Sequence, residues 1–347
     1  MFYEGPRKRR VTIGKHPALG LGQARAEAKR VLASVMLGQA PDMPSDSGQV
    51  LTFVAAIDVF VSNHCRRNNR PATAKETERL LRRHFEPKLG RMALVDITPQ
   101  KVAGIIDGLL ETPGEANHAF SAIRKFFSWA RERRYIERSP CEGMRLPVKP
   151  RTRERVLEPN EIAKIFSAAK TYPYPYGSIV LLLLLTGQRR QEIVGLQWQD
   201  IDLLDGLITI PADRNKSNRP HVLPIAPMAN EIIDGLPRLG SNVFPARGTP
   251  RNTFSGFSKS KRAFDSACEV DDWTLHDLRR TAATYMAGLG VAPHVVERIL
   301  NHSTGTISGV AAIYNRFRYA DEMRAALSLW ERRVQTLATE MSPQMDG

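Results

Sequence analysis

Seven consecutive apolar residues, Ile179 to Leu185, place the hardest constraint on how this chain can fold. The run is far short of the roughly 20 residues that span a bilayer, yet it offers no polar side to water. It reads as a helix buried all round, which requires a sizeable domain built about it. At 347 residues the chain exceeds what one ordinary core fills, so two or three domains are expected. Hydrophobic residues make up 42% and charged residues 25%, the balance of a globular rather than a disordered chain. Lys and Arg number 50 against 36 acids, a formal charge of +14. Such a surplus favours polyanionic partners, nucleic acid first, and names a partner class without naming an activity. Cys65, Cys141 and Cys268 are odd in number and far apart, which gives neither a disulfide framework nor a zinc spacing and fits a reducing cytosol. The basic N-terminus has no apolar stretch after it, unlike a secretory signal. A cytoplasmic protein without a membrane partner is expected.

The expected fold class is mainly α with small β-sheets, in several domains. Arg9 to Ile13 alternates like a short strand. Leu21, Ala24, Ala28, Val31, Leu32 and Val35 then recur at helical spacing, with Arg25, Lys29 and Arg30 opposite. One strand and one helix cannot bury a core alone, so residues 1–39 read as part of a small domain. Residues 40–50, rich in Pro, Asp and Ser, read as a linker. Residues 51–146 are helical throughout, with Thr98-Pro99 as a helix start. Within them, apolar Phe120, Ile123, Phe127 and Trp129 are interleaved with Arg124, Lys125, Arg131, Arg133 and Arg134. A basic face of this kind either clamps a duplex backbone or is merely solvated. Residues 147–156, carrying Lys149, Arg151, Arg153 and Arg155, read as an extended basic linker. Residues 157–335 form a mixed region that starts at Glu158-Pro159. It holds strands at Leu207–Pro211 and around His221–Ile225, joined by a turn at Ser217-Asn218. Residues 336–347 read as a tail.

Four pieces of this last region carry chemistry. Arg189 follows Thr186-Gly187-Gln188 at an expected helix N-terminus, where backbone amides favour anions and its planar fork suits a phosphate. Glu192, one turn on, can hold a neighbouring group in place. Lys216 stands in the turn between the two strands. Most hairpin-tip lysines are simply exposed, but a cation there can also give a proton to a leaving oxygen. His276 and Arg279, three apart, share a helix face above the apolar Ala282, Ala283 and Met286. Burying such a pair without partners is costly. His302 closes a later helix, and Tyr314-Asn315-Arg316 follows a Gly/Ser/Thr-rich loop.

Taken in order, Arg189, Lys216, His276-x-x-Arg279, His302 and Tyr314 resemble the active-site set of the tyrosine recombinase, or phage integrase, family. Gly14-Lys15-His16-Pro17-Ala18-Leu19 with the helix after it is similar to the N-terminal arm-binding domain of prophage and genomic-island integrases. Residues 51–146 match their core-binding domain in position and character, and the sequence after Tyr314 resembles the same branch. Two features depart from the pattern. The arm-binding domain starts late, and Asn301 precedes His302 where many members have Gly.

The resemblance implies a mechanism. A phenol with a pKa near 10 is a weak nucleophile at neutral pH, so cutting DNA with it takes charge neutralisation at the phosphate and two proton transfers. Arg189 and Arg279 would bracket the phosphate and His302 would add a hydrogen bond. His276 would take the proton of Tyr314, Lys216 would protonate the 5′ oxygen, and Glu192 would orient. The product would be a 3′-phosphotyrosine, formed without ATP, metal or cofactor. Implied partners are duplex attachment sites, a homotetramer on two duplexes and DNA-bending or directionality factors. Arg25, Lys29, Arg124, Lys125, Lys149, Arg151 and Arg153 are the candidate DNA contacts. The apolar helix after Tyr314 would either pack on its own domain or, as the family implies, dock on a neighbouring protomer. Tyr319 is the rival nucleophile, while Tyr285 reads as core and Tyr172, Tyr174 and Tyr176 as loop. A type IB topoisomerase and a non-catalytic DNA-binding regulator are the alternative functions.

Overall fold

The computed structural model describes residues 2–4, 7–9, 20–36, 51–149, 152–215, 219–301 and 319–341. The chain divides into two compact units, Met1–Arg151 and Thr152–Gly347. It is mainly helical with small antiparallel sheets, as expected. Among the described residues no helix is long and apolar enough to cross a membrane.

The first unit opens with a hairpin, β1 (Phe2–Glu4) against β2 (Arg7–Arg9), with Phe2 opposite Arg9. Arg9, where a strand running to Ile13 was expected to begin, closes β2. Gly5-Pro6, a turn signal, separates the two strands in sequence, and residues 10–13 lie outside the described ones. Helix α1 spans Leu21–Met36. Of its expected apolar stripe Val31 is buried, whereas Leu21 and Leu32 remain exposed; Arg25 and Lys29 are also exposed.

Helices α2 (Phe53–Phe60), α3 (Pro71–Leu80), α4 (Pro99–Asp107) and α5 (Pro113–Glu132) build the body of this unit. Three of the four begin at proline, whose fixed φ suits a first helical turn and whose missing N–H costs nothing there. Thr98 caps α4, its hydroxyl accepting from the Lys101 amide at 3.4 Å. The core is aromatic: Phe53, Phe60, Phe126, Phe127 and Trp129 are buried, and Phe126 meets Phe53 and Phe60 edge-on at 5.0 and 5.4 Å. Arg124 and Lys125 stand on the exposed side of α5, with Arg124 lying over the Phe120 ring at 5.5 Å. Lys149 is exposed, and Arg151 is outside the described residues.

In the second unit the apolar run lies in α7 (Tyr176–Thr186), behind α6 (Pro159–Thr171). Every residue from Ile179 to Leu185 is buried. The five-residue α8 (Arg190–Val194) follows Gly187. A three-stranded sheet then forms from β3 (Ile201–Asp202), β4 (Leu207–Ile210) and β5 (His221–Pro224), with Ile210 paired to His221. Helix α9 (Pro227–Asp234) leads to a second hairpin, β6 (Pro245–Ala246) and β7 (Thr249–Thr253), which the sequence reading missed. The remaining elements are α10 (Phe257–Cys268), α11 (Leu275–Gly288), α12 (Pro293–Ile299) and α13 (Ala320–Met341).

Helix α13 corrects one expectation. It continues to Met341, with Leu337 buried, so the tail does not begin at 336. In this single chain it packs on its own domain, one of the two alternatives. Met323, Ala326, Leu327, Trp330 and Val334 enter the core, and the Trp330 indole donates to the Leu184 carbonyl at 2.8 Å. The buried Glu331 carboxylate accepts from the Met228 and Ala229 amides at 2.9 and 2.8 Å, at the start of α9. Trp330→Ala should cost about 3–5 kcal/mol, because it empties a fully enclosed site and orphans that carbonyl. A fall in the urea midpoint without a change of slope would verify it.

Candidate active site

Two turns of the second unit and helix α11 converge through arginine. Helix α7 ends at Gly187, whose φ of 63° is a left-handed conformation that favours glycine. A Cβ there would meet Leu300 Cδ2 at 3.2 Å and Ala282 Cβ at 3.4 Å, so the turn also depends on close approach. Arg189 sits just beyond it. Its Nη1 pairs with Glu192 at 2.8 Å, and its Nη2 donates to the Asn301 carbonyl at 3.3 Å. Glu192 is 6% exposed, and its other oxygen accepts from the Arg189 backbone amide at 2.9 Å. Helix α8 is too short to lend much of the anion attraction expected of its N-terminus. The guanidinium, held by Glu192, supplies the positive charge instead.

Arg279 is 4% exposed on α11. Its Nη1 donates to the Gly187 carbonyl at 2.9 Å, and its Nη2 donates to the Leu300 carbonyl. The two arginines therefore grip the consecutive carbonyls of residues 300 and 301 from two different elements. Burial, reinforced by the neighbouring Arg189 charge, brings the Arg279 pKa down to about 10, so the group stays cationic at neutral pH. His276, one turn before Arg279, has an edge in solvent. Partial burial and then the Arg280 and Arg279 charges hold its imidazole below the ordinary histidine range. It is thus neutral, and able to accept a proton, at pH 7.

The helix carrying this pair is anchored at its start. Asp277, fully buried, accepts from the Thr274 amide at 2.8 Å, from Arg280 Nη1 at 2.5 Å and from Arg153 Nε at 3.0 Å. Arg153 also pairs with Asp272 at 3.1 Å. These carboxylates hold the guanidinium at the start of α11, with the Arg153 side chain still 36% exposed.

The sequence reading missed three groups at this corner. His221 is 7% exposed, with no hydrogen-bond partner for Nε2 among the described residues. Burial holds its imidazole down at about 4, against the opposing pull of Glu192. Gln188, 1% exposed, donates to the Thr186 and Ile299 carbonyls at 3.0 and 2.8 Å. Asn215, 0% exposed, accepts from Asn301 Nδ2 at 3.0 Å. Polar residue type at a strand or turn edge was the sole signal for them, and it is a weak one. Arg189, Glu192, His276 and Arg279 are brought together; Lys216, His302 and Tyr314 lie outside the described residues.

The other tyrosines of this unit are occupied in packing. Tyr176 is buried, and the Tyr174 hydroxyl donates to the Val243 carbonyl at 2.6 Å. Tyr172 packs on Phe264 at 5.0 Å, and Tyr285 on Trp330 at 5.5 Å. Tyr319 lies against His294 at 5.4 Å, with the Arg298 guanidinium 4.4 Å from its ring centre.

A corner built from paired guanidiniums and a neutral imidazole is suited to an anionic, proton-coupled reaction such as phosphoryl transfer. Comparison with known proteins identifies the lineage. Residues 155–320 match the phage integrase family model, and residues 52–110 match the phage integrase N-terminal SAM-like domain. The chain belongs to the phage integrase family. It is 26% identical over 260 residues to prophage integrase IntZ of Escherichia coli K12, a match covering 73% of this chain and 64% of that protein. The chain thus spans just under two thirds of that relative's length. The integrase of Shigella phage Sf6 is 24% identical over 344 residues, covering 92% and 85%. The fold is shared with lambda integrase, solved as a tetramer bound to a Holliday junction. That match has a TM-score of 0.58 and 20% identity and covers 84% of this chain and 92% of that one.

Proposed function

We propose that this protein is a site-specific recombinase that cuts and rejoins DNA through a 3′-phosphotyrosine at Tyr314, integrating or excising a prophage or genomic island. The observation that carries the reading is the double grip of Arg189 and Arg279 on one turn, with the His276 ring alongside. Donors fixed in place before the reaction stabilise charge that builds on non-bridging oxygens without reorganising. As the Tyr314 oxygen attacks phosphorus, its proton passes to His276. As the bond to the 5′ oxygen breaks, Lys216 protonates that oxygen. His302 adds a hydrogen bond to the phosphate, and Glu192 holds Arg189. The phosphodiester energy is conserved in the tyrosyl ester, so resealing needs no ATP.

The substrate would be duplex attachment-site DNA in the bacterial cytoplasm. Arg25, Lys29, Arg124, Lys125, Lys149, Arg151 and Arg153 are the candidate backbone contacts. Four protomers would act on two duplexes, assisted by bending or directionality factors. Lambda integrase, solved on DNA and as a tetramer, supports the assembly by likeness of fold.

Incubating the protein with nicked suicide duplexes carrying the junctions of its element should yield a covalent adduct on a denaturing gel. Sequence-specific binding without any adduct would instead favour a DNA-binding regulator. The pH dependence follows from His276. Its pKa is lowered below the ordinary 6.5, so the neutral base predominates at pH 7 and becomes protonated as pH falls. Single-turnover cleavage should be flat from about pH 7 upward and decline tenfold per unit on the acid side of that lowered pKa. His276→Gln should remove this acid limb, which a rate profile for both proteins would reveal.

A further inference from the structure

The Asn215–Asn301 hydrogen bond joins two chain positions that each immediately precede a candidate catalytic residue, Lys216 and His302. Asn301 occupies the left-handed region at φ 52°, a conformation asparagine tolerates better than most residues. Its carbonyl accepts from Arg189, while its side-chain amide donates to Asn215 Oδ1 at 3.0 Å. Asn215 is fully buried and closes the base of the hairpin from within. Its Nδ2 donates to the Arg219 carbonyl at 2.7 Å, and its amide donates to the Pro211 carbonyl at 3.1 Å. These bonds tie Asn215 to both sides of the hairpin base, and Asn301 ties that base to the turn gripped by Arg189 and Arg279.

We propose that Asn215 and Asn301 are positioning residues, and that their bond sets the lysine-bearing hairpin in register with the arginine corner for proton delivery to the leaving oxygen. The proposal rests on the reading of Lys216 as proton donor. Asn301→Gly is the clean test, because glycine keeps the left-handed backbone and the carbonyl that Arg189 uses and removes only the amide. Cleavage would be measured in single turnovers on two suicide duplexes, one ordinary and one with sulfur bridging phosphorus and the 5′ carbon. A thiolate is stable enough near neutral pH to depart without a proton.

Asn301→Gly should cleave the oxygen duplex about three- to tenfold more slowly, with DNA affinity unchanged, and the sulfur duplex at the wild-type rate. Lys216→Ala should lose more on oxygen and recover likewise on sulfur. Adding Asn301→Gly to Lys216→Ala should cost nothing further. The proposal is overturned if Asn301→Gly cleaves oxygen normally, or if its loss persists on sulfur while that of Lys216→Ala is recovered. If Lys216→Ala fails to recover, the proton-donor reading falls. The positioning contact is then judged by the double variant, where an additive loss overturns it and no further loss upholds it.

Discussion

Tyr314→Phe is expected to abolish the covalent protein–DNA adduct, a loss on the order of 10⁴-fold or more in cleavage, since it removes the attacking oxygen and nothing else. Tyr319→Phe should leave the adduct in place. The Tyr319 ring already has two occupations: it packs on His294, and Arg298 lies over its face. A phenylalanine ring can serve both, so the change should be felt little in stability or rate. Running both variants on one denaturing gel separates the two tyrosines. An adduct that survives Tyr314→Phe and vanishes in Tyr319→Phe would reassign the nucleophile.

Arg279→Lys should lower cleavage about 10²- to 10³-fold, although it keeps the positive charge. The planar fork reaches the carbonyls of Gly187 and Leu300 together, a span a single ammonium cannot reproduce. At least one buried carbonyl would then be left unpaired, adding about 1–3 kcal/mol of destabilisation. Arg189→Lys provides the contrast. Its side chain is 28% exposed, so water can satisfy what lysine leaves, and the thermal midpoint should move less while cleavage still falls. Melting curves set beside single-turnover rates resolve the two effects. Equal midpoints for both variants would contradict the structural half of this account.

What could be read from the sequence was what local physics determines. Ile179–Leu185 had to be buried, and the helix starts at Thr98-Pro99 and Glu158-Pro159 were visible because proline and cap chemistry act within a few residues. Arg189, Glu192, His276 and Arg279 were found by type and order, and the fold brings them together. His221, Gln188 and Asn215 went unseen because their burial is created by segments far away in sequence, such as Ile299 and Asn301. The ion pairs of Arg153 were hidden for the same reason: Asp272 and Asp277 lie more than a hundred residues on. The docking of α13 depends on Trp330 finding Leu184, a long-range match that no periodicity encodes. The pairing of residues 2–4 with 7–9 was overlooked although Gly5-Pro6 is a turn signal in the sequence, since strands of three residues carry almost no alternation.

The depressed pKa of Arg279 has a thermodynamic corollary. A buried cation whose proton is held less tightly than in water is an under-compensated charge, and folding must bear that burden. A phosphodiester anchored between the two arginines would act as the missing counter-ion. The gain on binding would then include relief of repulsion already present in the protein, beyond the new contacts alone. Affinity for the phosphate and stability of the second unit would be two readings of one electrostatic quantity, linked so that a change which eases the apo corner also weakens its hold on DNA.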